Sequence, residues 1–155
     1  MPFNVAIVRW VRGAFTFRGR ATRSEYWWPR LLVFGVNLVC LIVFVGGVGV
    51  EGLEEVLAWL EAEGEGELPT LPPVSMFALV FLIVFGLLTL LPDLAVTWRR
   101  FHDLNMPGWI HLLFLLGGVF FSLLGLGQLI WLAFPGTRGP NRFGPDPLFD
   151  QADIF

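Results

Sequence analysis

The chain carries a single cysteine, Cys40, set inside an apolar run, so it can form no intramolecular disulfide and no cysteine-based metal cluster. Cys40 reads as a small buried apolar residue and not as a reactive thiol. Charge is also scarce: 15% of the residues are charged against 55% hydrophobic, and the mean hydropathy of +0.70 lies outside the range of soluble globular domains. No charged residue falls in the middle of the long apolar runs, whose polar members are Asn37, Ser75, Thr89, Ser122 and Gln128. An ion or proton path would need one there, which argues against a pump or an ion-coupled transporter. His102 and His111 lack the i, i+4 spacing of a helical zinc site, and neither a metal nor any other cofactor is expected. Lysine is missing altogether, no internal repeat is visible, and the stretch from Met1 to Arg12 has none of the features of a signal peptide. The first apolar span is therefore expected to serve as its own uncleaved signal.

What the sequence does contain is apolar residues in long blocks, at about 31–50, 74–91 and 109–134. About 20 such residues cross a hydrocarbon core roughly 30 Å thick. The expected fold class is all-α: a polytopic membrane helical bundle forming one membrane domain over residues 1–155. The third block, followed by a turn-rich tail at 135–155, is either one tilted span or a re-entrant hairpin broken near Gly117-Gly118 or at Gly125 and Gly127. Phe3, Ile7, Trp10, Val11 and Ala14 share one helical stripe, which suits an N-terminal amphipathic helix lying in the interface. Thr22-Arg23-Ser24-Glu25 fits a capping box, so a helix should begin near Thr22, with a bend at Pro29 unless the helix starts at that proline. Tyr26, Trp27 and Trp28 stand where an aromatic belt would be.

Residues 51–73 hold seven glutamates and no basic residue, which marks an external loop; Leu53, Val56, Leu57 and Leu60 recur in it at helical spacing, so a short amphipathic helix resting on the membrane surface is expected within it. The second span is expected to continue past Pro92 toward Trp98, and the stretch from Arg99 to Gly108 reads as a charged turn. Arg9, Arg12, Arg18, Arg20, Arg23 and Arg30 precede the first span and Arg99 and Arg100 follow the second. The positive-inside rule then puts the N-terminus and the Arg99 loop in the cytoplasm of a multi-pass protein of a bacterial inner membrane.

Three stretches carry a family resemblance: Phe17-Arg18-Gly19-Arg20-Ala21-Thr22-Arg23-Ser24-Glu25-Tyr26-Trp27, then Arg99-Arg100-Phe101-His102-Asp103-Leu104 with Trp109, and Pro135-Gly136-Thr137 through Asn141-Arg142-Phe143-Gly144-Pro145-Asp146-Pro147. In order and spacing they resemble the small bacterial inner-membrane proteins of the domain of unknown function 805 (YhaH-like) family, over nearly all of the chain from Phe15 to Pro147. Phe101, where that family more usually has Leu, and the long acidic insertion depart from the pattern. The resemblance implies a helical membrane protein and brings no catalytic residues with it.

The candidate binding residues are Arg18, Arg20, Arg23, Arg99, Arg100, His102, Asp103, Asn141, Arg142 and Asp146. Arginines hold phosphate and carboxylate groups, and juxtamembrane basic residues attract anionic headgroups. The bland alternative is that they enforce topology, that Asp103 caps a turn or pairs with an arginine, and that Glu25 does the same. The leading reading is a non-enzymatic membrane protein of uncharacterised activity that binds anionic lipid or a protein partner through its cytoplasmic face. A second reading is an enzyme on a lipid or lipid-linked phosphate with His102 as acid or base, and a third is a transporter subunit formed by oligomerisation. Membrane lipids are the expected partners, a second copy of the chain is an alternative, and nothing points to nucleic acid. Asp93, costly if it faced lipid, is a further candidate for pairing with an arginine.

Overall fold

The structure, a computed structural model of the chain, describes residues 1–67, 69–120 and 122–148. The described residues form five helices and no strand: α1 (Phe3–Arg12), α2 (Arg23–Glu61), α3 (Pro73–Asp103), α4 (Ile110–Phe120) and α5 (Ser122–Ala133). The chain divides into two compact units, one of residues 1–32 and the described residues from 89 onward, the other of Val33–Leu88.

Two helices, α2 and α3, are long and apolar enough to cross a membrane. Only 6% and 17% of their most apolar windows are buried within the protein, so they are not the core helices of a soluble fold. Their apolar surface needs an apolar surrounding, which a bilayer supplies. Cys40, expected buried, is only half-buried for the same reason.

In the second unit α2 does not stop at residue 50 but runs to Glu61, across a single non-helical residue, Gly49, at φ 69° and ψ 179°. That φ is costly for any side chain but not for glycine. The glutamates at 51, 54, 55 and 61 are thus helical, in the stretch where a short helix is expected, but that helix continues the first span instead of being set apart in a loop. Ser75 donates its hydroxyl to the Phe44 carbonyl at 3.1 Å, and Val74 and Ser75 press so closely on Gly47 that a β-carbon there would collide with them.

In the first unit, α2 begins at Arg23, ahead of Pro29, with Thr22 as its cap: the Glu25 amide donates to Thr22 Oγ1 at 3.2 Å. The reciprocal half of the capping box is not made, because the Glu25 carboxylate is taken by Arg99 at 2.7 Å. Helix α1 buries Ala6 and Trp10, and the Trp10 indole donates to Asp93 Oδ1 at 3.0 Å. Of the expected apolar stripe, Trp10 and Ala14 are buried, whereas Phe3 and Val11 stay exposed. The indole bond to Asp93 sets this rotation, which apolar spacing alone does not encode.

Helix α3 continues through Pro92 to Asp103, so the segment Arg99 to Asp103 is helical, contrary to the expected turn. The helix ends in a Schellman arrangement: Asn105 sits at φ 59°, its amide donates to the His102 carbonyl at 3.0 Å, and the Met106 amide donates to the Phe101 carbonyl at 2.9 Å. The true turn is short, and Pro107 follows it.

The third apolar block folds back on itself. Gln128 Nε2 lies 2.9 Å from His111 Nδ1, 17 positions away, whereas one continuous helix would part them by about 25 Å. Helices α4 and α5 pack side by side. At 11 and 12 residues each is roughly 16–18 Å long, too short to cross a bilayer. Gly117 and Gly118 do not break the hairpin; both are inside α4. The Ser122 side chain and tail residues 149–155 lie outside the described residues.

Candidate functional site: an arginine-lined cavity

The ends of α2, α3 and α5 and the tail meet in the first unit around Asp103. Its Oδ1 accepts Arg20 Nε at 3.0 Å and lies 2.9 Å from Arg20 Nη2, while its Oδ2 accepts Arg100 Nη1. One buried carboxylate therefore neutralises two guanidiniums, one on each oxygen.

The remaining donors of both arginines go to backbone carbonyls. Arg100, with 0% exposure, donates Nε to the Leu132 carbonyl at 3.0 Å and Nη2 to the Phe134 carbonyl. These are carbonyls that the end of α5 leaves without helical partners, and a cation there also meets the negative end of the helix dipole. Arg20 donates to the carbonyls of Gly139, at 2.6 Å, and Thr137. Thr137 is tied in turn to the end of α3, its amide and hydroxyl donating to the Asp103 carbonyl at 2.9 and 3.0 Å. Gly136 lies so close to the Asp103 carboxylate that any β-carbon would collide with it.

The tail closes on itself by the same means. Asn141 Nδ2 donates to the His102 carbonyl at 2.9 Å and to Thr137 Oγ1 at 2.8 Å, and Asn141 Oδ1 accepts the Phe143 amide at 2.9 Å. Asp146 accepts the amides of Leu148 at 3.0 Å and Gly139 at 2.8 Å, which hold its carboxyl below the usual range. The three stretches that carried the resemblance are thus one interlocked structure.

Beside this knot opens a cavity of about 430 Å³, lined by Arg20, Thr22, Arg23, Ser24, Arg100, Asp103, Arg138, Asp146 and the tail from Pro135 to Thr137 with Pro147 and Leu148. Of the sequence candidates, Arg20, Arg23, Arg100, Asp103 and Asp146 line it; Arg18, Arg99, His102, Asn141 and Arg142 do not. Arg99 is turned to Glu25, and Arg142 donates to the Asn105 carbonyl at 3.0 Å on the surface.

His102 is not paired with Asp103. Its ring stacks on Phe143 with centroids 4.0 Å apart, and its Nδ1 lies 3.0 Å from the Gly19 carbonyl; since a carbonyl only accepts, Nδ1 carries the proton. With its ring enclosed and its carboxylate neighbour taken by arginines, His102 lacks the orientation a general base needs.

The polar wall residues missing from the sequence candidates are Thr22, Ser24, Thr137 and Arg138. Arg138 had a signal, a cation among turn formers next to Pro-Gly-Thr, but nothing in the sequence linked it to Arg23. The walls carry four arginines against two aspartates, and both aspartates are already bonded. Arg23 and Arg138 are exposed and make no ion pair among the described residues. No group of three or more metal-binding side chains occurs among the described residues.

These features define an all-helical membrane protein with two membrane-length apolar helices and a polar knot built from its basic motifs. The chain belongs to the family described as "Protein of unknown function (DUF805)", which it matches over residues 14–145. It is 39% identical over 137 residues to the inner membrane protein YhaH of Escherichia coli strain K12, covering 86% of this chain and 88% of that relative. It is 35% identical over 138 residues to the inner membrane protein YhaI of the same strain, covering 86% of each. No solved structure matches it. Like these relatives, the chain is a bacterial inner-membrane protein.

Proposed function

We propose that this protein is a non-enzymatic, multi-pass inner-membrane protein that binds a phosphate-bearing anion in the arginine-lined cavity at the cytoplasmic face. The observation that carries the reading is the surplus of positive charge in the walls: Asp103 and Asp146 are committed to protein partners, while Arg23 and Arg138 are left facing the cavity without an ion-pair partner among the described residues. Guanidinium forks match phosphate oxygens, and a partly enclosed site of this volume strengthens each contact relative to open water.

The distribution of arginines supports two crossings, α2 and α3, with the N-terminus cytoplasmic. The hairpin α4–α5 then enters the bilayer from the cytoplasmic side and returns to it. Both termini share one side. Helix α1, with Phe3, Val5, Val8 and Val11 exposed, suits the headgroup region.

The test is ligand-dependent stability. Purified protein in neutral detergent should show a rising thermal midpoint with millimolar glycerol phosphate or inorganic phosphate, and little with chloride at equal ionic strength. The Arg23→Gln/Arg138→Gln double variant should lose the rise. An identical response to phosphate in wild type and variant sinks the proposal.

A further inference from the structure

A second, shallower groove of about 410 Å³ adjoins the cavity, lined by Arg23, Ser24, Trp27, Trp28, Leu31 and Ala133. Arg23 and Ser24 belong to both linings, so the charged cavity and the apolar groove share a wall. The order along the helix has a direction. Arg23, Trp27 and Leu31 stand at i, i+4 and i+8 on one face of α2, and Ser24 and Trp28 flank them at i, i+4. Over about 12 Å the track passes from a guanidinium to indoles to an aliphatic side chain, and it leads toward the apolar run that begins at residue 31. Trp28 meets the Phe3 ring edge-on at 5.7 Å, yet Trp28 and Leu31 remain 39% and 54% exposed, so much of the track is left uncovered by the chain itself.

A free phosphate would fill only the charged end. A molecule that fills both ends has an anionic phosphodiester joined to a hydrocarbon chain. Indoles at the junction suit it, since their rings lie against hydrocarbon while the N–H stays at the polar level.

We propose that the ligand is an anionic diacyl phospholipid, held with its phosphate between Arg23 and Arg138 and one acyl chain laid along Trp27, Trp28 and Leu31. This rests on the headgroup reading above and adds the chain-binding groove to it. Arg23 is the residue through which the two halves meet, so its loss uncouples head from chain.

The experiment uses full-length protein in phosphatidylcholine nanodiscs and reads tryptophan fluorescence as phosphatidylglycerol brominated on its acyl chains is added at low mole fraction. Brominated phosphatidylcholine at the same fraction is the reference. The expected result is at least twofold more quenching by the anionic lipid, with most of the excess lost in Trp27→Phe/Trp28→Phe. The excess should also fall in Arg138→Gln and persist in Arg12→Gln, an exposed position on α1 that changes net charge equally, which separates a built site from a basic surface. Two results overturn the chain groove while leaving the headgroup reading intact: equal quenching by both bromolipids in a protein that phosphate still stabilises, or full displacement of the lipid by glycerol phosphate at concentrations matching the lipid's own affinity. An equal loss of excess quenching in Arg138→Gln and Arg12→Gln also overturns it, as general attraction. No quenching excess together with no stabilisation by phosphate ends both readings.

Discussion

Arg20 and Asp103, 83 positions apart, are joined through two guanidinium nitrogens at 3.0 and 2.9 Å to a single carboxylate oxygen, leaving the other oxygen for Arg100. The first and second motifs of the chain are therefore one electrostatic unit, and the third is hung from it by Arg20 and Thr137.

Removing the carboxylate leaves two buried cations with no counter-charge. Breaking a buried pair in this way costs about 3–5 kcal/mol. Asp103→Ala should lower the midpoint of thermal unfolding in detergent sharply, and a change confined to a degree or two would contradict the central place given to Asp103.

Arg100→Lys keeps the charge and loses the fork. An ammonium can reach one or two of the four groups that Arg100 serves, namely Leu132, Phe134, Ala21 and Asp103. Amide hydrogen exchange in residues 130–137 should quicken relative to α1, with a stability loss of about 2 kcal/mol or more. Uniform exchange across both regions would show that Arg100 does not hold the hairpin.

Gly136→Ala places a methyl group against the Asp103 carboxylate. Overpacking of this kind costs about 1–3 kcal/mol. Because the tail carries Arg138 into the cavity, this variant should also weaken phosphate-dependent stabilisation, whereas Gly35→Ala, in open space on α2, should do neither.

A reporter active only in the cytoplasm, fused after Phe155, should be active, and one active only outside should be silent. The opposite pair of results would place the tail across the membrane from the Arg99 motif and contradict the contact between Thr137 and Asp103.

Some of this was written in the sequence. Leu31 onward and Val74 onward are apolar without charge for the length of a bilayer, and burial of such runs depends on composition alone, so the two membrane-length helices were legible. Thr22 as a helix cap was legible too, because capping is local. The partners were not. Glu25 was equally suited to closing its own capping box or to meeting Arg99, and Asp103 to orienting His102 or to neutralising arginines 3 and 83 positions away. Local rules do not rank such choices, since the deciding energy comes from which groups are buried together and from which carbonyls α5 leaves exposed to Arg100. The hairpin was ambiguous for the same reason: residues 109–134 are apolar whether they cross once or turn back, and the packing of α4 on α5 and the meeting of His111 with Gln128 separate the two. Composition and period, being properties of neighbours along the chain, determined the class of protein and its spans, while the convergence of Arg20, Arg100, Asp103 and Arg138 on one cavity depended on long-range pairing that only the tertiary structure decided.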